Sequence, residues 1–282
     1  MFTPINTRIP AEVEAQVQRI YTRLFPEVDP GFVGRAFAWA GRCFNGQYGD
    51  YQAIDARYHD FEHTLQGTLC LARLLQGRQL ADAQPPITGP LFELAILAIL
   101  FHDTGYLKKR GDRDGTGAKY TITHVSRSAD FAAEFMAAQG YSQGDIDAVR
   151  NMISCTGVNA HLDAIPFRNE LERTLGYALA TADLLGQMAA PDYVDKLPVL
   201  YLEFAEAVHH DRRKAARLAV YSSADELVQN TPFFWTNYVL PRITEDFGGL
   251  HRYLNDPYPD GPNEYIERIE RNLARIQSPA GA

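Results

Sequence analysis

Apolar residues recur at every third or fourth position along almost the whole chain. A helical fold is the arrangement that gathers such positions on buried faces. The pattern runs through Val13–Leu24, Phe32–Phe44, Phe61–Leu75 and Leu91–Leu107. It returns in Val125–Ala138, Ile146–Ile153, Leu171–Met188, Leu197–Val208 and Tyr265–Ile276. Strict two-residue alternation is absent, and the nearest hairpin-type step, Asp114-Gly115, is flanked by charges. The expectation is therefore an all-α protein. Breakers fall between the periodic stretches: Pro85-Pro86, Gly89-Pro90, the polar loop Gly111–Gly117, Gly140, Pro166, Pro191, Pro198 and the linker Asp256–Pro262. No internal repeat separates the chain into units. Residues 1–282 read as one compact multi-helix bundle, with residues 191–282 as additional C-terminal helices.

Charge and cysteine usage narrow the class. A formal net charge of −8 argues against nucleic-acid duplex binding and against an anionic membrane surface, which both reward a basic face. The three cysteines (Cys43, Cys70 and Cys155) have no metal-type spacing, and their odd number fits reduced thiols. No basic head precedes an apolar run at the N-terminus, and the longest apolar stretch, Leu94–Phe101, is too short to span a bilayer. A cytoplasmic protein is expected.

Leu94–Phe101 is apolar on every side, so it should be buried all round, and it runs straight into His102-Asp103. An imidazole and a carboxylate at the end of a buried helix must be paired or bound to a cation. A His–Asp hydrogen bond capping the helix before Gly105 is one solution, and a divalent metal is the other. His210-Asp211 has the same two letters but sits in the charged stretch Asp211-Arg212-Arg213-Lys214, which reads as a solvated face. Tyr58-His59-Asp60-Phe61-Glu62-His63 places two histidines four apart, on one face of a helix or its first turn. Gly67 and Cys70 continue that line, small enough for another element to approach closely. Asp183 lies inside the apolar run Leu179–Leu185 and needs an arginine, a backbone amide or a metal as partner. His63, His102, Asp103 and Asp183 together form a nitrogen and oxygen donor set on three helices.

The order H…HD…D, opening within Y-H-D-F-E-H and closing within A-D-L-L, resembles the HD-domain metal-dependent phosphohydrolases. The Y-H-x-x-x-H form is most similar to their cyclic-nucleotide phosphodiesterase branch. Thr156-Gly157-Val158-Asn159-Ala160-His161 also resembles that branch's T-D-M-S-x-H segment. The resemblance covers about Tyr51–Met188 and implies an HD-domain bundle with its core over residues 51–190. It further implies one or two divalent ions (Mg, Mn, Fe, Co, Ni or Zn), with His63, His102, Asp103 and Asp183 as ligands and Asp103 bridging to a second ion. His59 matches the general acid. Two positions depart from the branch: Tyr106 stands where it has a second histidine, and Gly157 where it has an aspartate. In some HD proteins a histidine placed like His124 reaches the second metal. Tyr106, Thr156 and His161 are the remaining candidates for the second metal or its surroundings.

Lys108, Lys109, Arg110, Arg113, Lys119 and Arg127 form a basic stretch in an acidic chain. Lys108, Lys109 and Arg127 are candidate phosphate contacts, or else part of a solvated loop. Asp112-Arg113-Asp114-Gly115-Thr116 imitates a phosphoaspartate motif, but no buried strand precedes it. The expected activity is hydrolysis of a small phosphorylated substrate, a phosphodiester or phosphomonoester such as a nucleotide, by metal-activated water. The alternatives are a di-iron oxygenase of the same scaffold and a non-catalytic nucleotide-binding regulatory module. Phe233-Phe234-Trp235 and Tyr238 could serve core packing, a pocket wall or a homodimer contact.

Overall fold

The computed structural model describes residues 2–157, 160–213, 218 and 220–277, so Val158, Asn159 and Lys214 lie outside the described residues. The chain is all-helical: α1 (Pro10–Leu24), α2 (Phe32–Phe44), α3 (Phe61–Leu80), α4 (Gly89–Phe101), α5 (His124–Ala138), α6 (Gln143–Ile153), α7 (Glu170–Met188), α8 (Tyr193–His210), α9 (Ala224–Phe234) and α10 (Glu264–Gln277). Among the described residues, β-pairing is limited to isolated bridges such as Tyr51 with Lys109.

Helix α4 is the axis of the molecule. Leu94 to Phe101 are all buried, as their composition requires, and α4 touches α2, α3, α5, α6 and α7. Its partner α3 packs most extensively against α7. Local chemistry marks the helix starts: Asp60, Ser142, Asn169 and Ser223 each accept a hydrogen bond from a backbone amide of the first turn. Gly140 ends α5 in a left-handed conformation (φ 82°) that a side chain would oppose. The apolar core is continuous from Val13 in α1 to Leu273 in α10.

Three local expectations change. Helix α4 stops at Phe101, and a short 3-10 turn at Thr104–Tyr106 follows, so the periodic run to Leu107 is not one helix. Pro198 does not end a helix but lies inside α8 as its sixth residue, where its missing N–H removes the one ladder bond to the Val194 carbonyl. Helix α9 has no counterpart in the periodic stretches; it contains Pro232 and continues into π-helical turns at Trp235–Val239 and Arg242–Asp246. Pro241 lies between those turns, and widening accommodates a ring that the regular ladder would reject. Trp235 is buried there while Phe233 is 67% exposed. The three cysteines are free and buried. No described helix is long and apolar enough to cross a membrane.

Candidate functional site

The site begins with a helix cap. The Asp60 side chain accepts from the His63 amide at 2.9 Å, so α3 starts at Phe61, with His63 in its first turn and His59 just before it. The two imidazoles meet edge to face with centroids 5.4 Å apart. His102 closes α4, and its Nδ1–H donates to Ile99 O at 2.7 Å. Asp183 arrives from α7 because the backbones of α3 and α7 nearly touch. A Cβ on Gly186 would lie 2.8 Å from the backbone of Gln66 and Gly67, and one on Gly67 would lie 3.7 Å from Asp183 Cα. Gly67 therefore admits a neighbouring element, as its place on the histidine line suggested.

Four donor atoms close into a ring. His63 Nε2 is 3.2 Å from both Asp103 Oδ2 and Asp183 Oδ1. His102 Nε2 is 3.3 Å from the same two oxygens. His63, His102 and Asp103 are buried, yet among the described residues His102 Nε2, Asp103 Oδ2 and Asp183 Oδ1 have no hydrogen-bond partner. With its Nδ1–H committed to Ile99, neutral His102 presents a lone pair to carboxylate lone pairs, a contact that only a cation or a proton makes favourable. A ring with these edges and equal diagonals has its centre about 2.0–2.3 Å from each corner, the distance divalent metals take to imidazole nitrogen and carboxylate oxygen, and His63, His102 and Asp103 each offer a ligand atom within 4.8 Å of the others. The donor set thus fits a divalent ion.

The four groups also shift one another's protonation. Burial alone would lower the pKa of His63, but contact with Asp103 and Asp183 outweighs it and lifts the value to about 10. His102 is raised against its burial by the same two carboxylates. Burial would raise the carboxyl groups, but His102 and His63 hold both Asp103 and Asp183 below the usual range.

A second group faces the ring. His59 Nδ1 pairs with Glu203 Oε2 at 2.6 Å, and Glu203 Oε1 accepts from the Tyr58 amide at 2.7 Å. Glu203 is buried on α8, and His59, with Tyr58 and Arg57, holds its carboxyl below the usual range despite that burial. Tyr106 stacks nearly parallel to His59 (centroids 4.5 Å) and to His124 (4.7 Å). The two imidazoles are only 6.1 Å apart, too close to lie on opposite faces of the phenol, so both rest on the same face. Tyr106 is a floor beneath them; its buried hydroxyl has Thr121 as a polar neighbour but makes no well-formed hydrogen bond among the described residues. His124 donates Nδ1–H to Thr121 O at 2.6 Å, and its Nε2 is 3.8 Å from Asp103 Oδ1. Burial lowers the His124 pKa. The side chains of His59, Asp183 and His124 keep 14–16% exposure against 1–4% for His63, His102 and Asp103, so those three form the mouth.

Other expected residues lie elsewhere or are otherwise engaged. Thr156 donates to Ile153 O at the end of α6, and His161 is exposed. The expectation that Lys108, Lys109 and Arg127 face a phosphate finds no counterpart in their contacts. Lys108 Nζ binds Gly115 O and Asp55, Lys109 Nζ lies over the Tyr51 ring, and Arg127 donates to Gly105 O and Leu107 O while stacking on Tyr120. A loop between helices leaves many carbonyls unpaired, and nearby cations satisfy them. Glu203 was not singled out from the sequence: Glu203 and Glu206 are one turn apart on α8, and Glu206 instead accepts from the Thr116 amide and hydroxyl.

The Npun_R2479-like family is matched over residues 110–257 of this chain. The chain belongs to that family. The matched span carries His124, Asp183 and Glu203, whereas His59, His63, His102 and Asp103 precede it. No match is found among curated proteins.

Proposed function

We propose that this member of the Npun_R2479-like family is a phosphohydrolase that depends on a divalent metal held by His63, His102, Asp103 and Asp183. The observation that carries the reading is the convergence of three buried, unpartnered polar atoms with His63 Nε2 on one centre. Such an ion supplies a Lewis acid for the phosphoryl group and makes a water nucleophilic near neutral pH.

The chain's own residues do the rest. With Nδ1–H held by Glu203, His59 is left with Nε2 as the atom that delivers a proton to the departing oxygen. The Tyr106 face keeps His59 and His124 side by side at the mouth. Burial of His63, His102 and Asp103 excludes bulk water from behind the centre. One ion is favoured over two, because His124 and Asp103 Oδ1 are the protein donors offered to a second. The exposed position of His161 counts against a di-iron oxygenase, which needs further imidazoles.

The test loads metal-stripped protein in turn with Mn, Mg, Fe, Co, Ni and Zn and offers p-nitrophenyl phosphate, bis(p-nitrophenyl) phosphate and cyclic nucleotides. Metal-dependent phosphoester cleavage is expected. Retained metal without turnover on any substrate would reduce the protein to a binding module, and failure to retain metal would dispose of the centre.

A further inference from the structure

The imidazoles of the site differ in one respect. His59, His102 and His124 each commit Nδ1 to a protein oxygen, namely Glu203, Ile99 O and Thr121 O. His63 does not: its amide binds Asp60 and its Nε2 faces the two carboxylates, while Nδ1 has no protein partner among the described residues. A histidine that binds a metal ordinarily donates its other N–H, which fixes the tautomer and the ring orientation.

Behind His63 is a narrow niche, with room for about one water, lined by Tyr58, Gln66, Gln187 and Lys196 among others. Its polar atoms are incompletely used. Gln66 is 6% exposed, one turn after His63 on α3, and its Nε2 is buried without a hydrogen-bond partner among the described residues. Tyr58 donates its hydroxyl to Gln187 Oε1 at 2.7 Å, which leaves lone pairs on both oxygens. Lys196 is drawn aside by Glu62 at 2.9 Å. Two orphan donors and two oxygens with accepting capacity around a space of this size match the hydrogen-bonding needs of one water.

We infer that the niche binds a structural water, which accepts from His63 Nδ1–H and Gln66 Nε2–H, donates to the Tyr58 and Gln187 oxygens, and so orients His63 towards the metal. The ligand is water because the site offers donors and acceptors in balance and no uncompensated charge. Gln66 becomes a positioning residue that acts on the metal through this water. The inference rests on the metal-centre reading, and its test separates the two.

The decisive measurements are a high-resolution crystal structure of the protein and a Co2+ affinity titration of the wild type and Gln66→Met. Methionine matches glutamine in length and removes the N–H. A water within hydrogen-bond distance of both His63 Nδ1 and Gln66 Nε2 is expected, together with affinity weaker by about tenfold or more in the variant. An empty niche, or a direct His63–Gln66 hydrogen bond, overturns the inference, and so does unchanged affinity in Gln66→Met. Should the variant not fold, the crystal structure alone decides. Wild-type protein that binds no Co2+ removes the metal centre, while the crystal structure still tests the water.

Discussion

In the proposed hydrolase, His63, His102 and Asp103 would hold the ion from the buried side, with Asp183 and His59 at the mouth. His63, His102 and Asp103 have almost no access to solvent, whereas His59 stands at the mouth with Glu203 behind it. Replacing His59 by alanine should leave metal content intact and lower turnover by about 10²–10⁴-fold, the usual weight of a positioned proton donor. Metal analysis and kinetics on one sample check this, and a simultaneous loss of metal would make His59 a ligand or a structural residue. Proton competition follows from the raised pKa of His63. With a value of about 10 in the metal-free fold, His63 carries a proton at pH 7 that an incoming ion must displace. Apparent metal affinity should therefore rise with pH, by up to about tenfold per unit, and level off as pH passes the His63 value. Calorimetry in buffers of different ionisation enthalpy would register the released proton. Tyr106 makes a different prediction. Its buried hydroxyl makes no well-formed hydrogen bond among the described residues, so Tyr106→Phe should leave stability unchanged or raise it by about 1 kcal/mol, while Tyr106→Leu removes the floor under two imidazoles and lowers turnover. Urea denaturation and kinetics on both variants test the pair.

The donors reach one another because helices meet at a few tight places. Asp60 fixes where α3 begins, and Gly67 with Gly186 sets how closely α7 passes. Gly186→Ala would press a methyl group against the backbone at Gln66–Gly67. Relaxing that clash should cost about 1–3 kcal/mol and carry Asp183 away from His63, weakening metal binding. Chemical denaturation read beside metal affinity tests both, and full affinity with normal stability would show that the crossing tolerates separation. Glycine on the line of His59 and His63 is readable in the sequence as an invitation to close approach. That α7 is the visitor, and that Gly186 faces Gly67, is not, because helical spacing describes one helix and is silent about its neighbour. Helix α9 is likewise not marked by apolar periodicity in the sequence: the packed surroundings of Trp235 and Val239 hold a helical path that Pro232 and Pro241 oppose.

Across the whole fold, the donor set couples the two ends of a continuous core. His63, His102 and Asp103 come from the first half of the chain, Asp183 and Glu203 from the second, and α10 is tied in where Asn272 donates to Met188 O and Ala190 O. An ion that binds only the folded state should stabilise it by about 2.7 kcal/mol at a hundredfold excess over its dissociation constant. For a chain of this size that is a rise of roughly 5 °C in melting temperature, reversed by chelator. Scanning calorimetry with and without EDTA checks it; identical curves for a protein that has been shown to hold metal would mean that the centre forms equally well in the unfolded chain.

The all-helical architecture, the burial of α4 and the need of His102, Asp103 and Asp183 for a partner could be read from the amino-acid order, whereas a shared centre for them with His63 was implied by the family resemblance. The first three depend on local periodicity or on the penalty for hiding an ionisable group in an apolar run, and both are properties of short segments. The choice of Glu203 over Glu206 as the partner of His59, the engagement of Lys108 and Arg127 by backbone carbonyls, and the resting of two imidazoles on one face of Tyr106 could not. These are outcomes of how separate helices and loops are set against each other. Chemically equivalent side chains one turn apart acquire different neighbours only when the chain closes on itself, since hydrogen bonds and ring contacts act over a few ångströms while the residues that make them lie far apart along the chain.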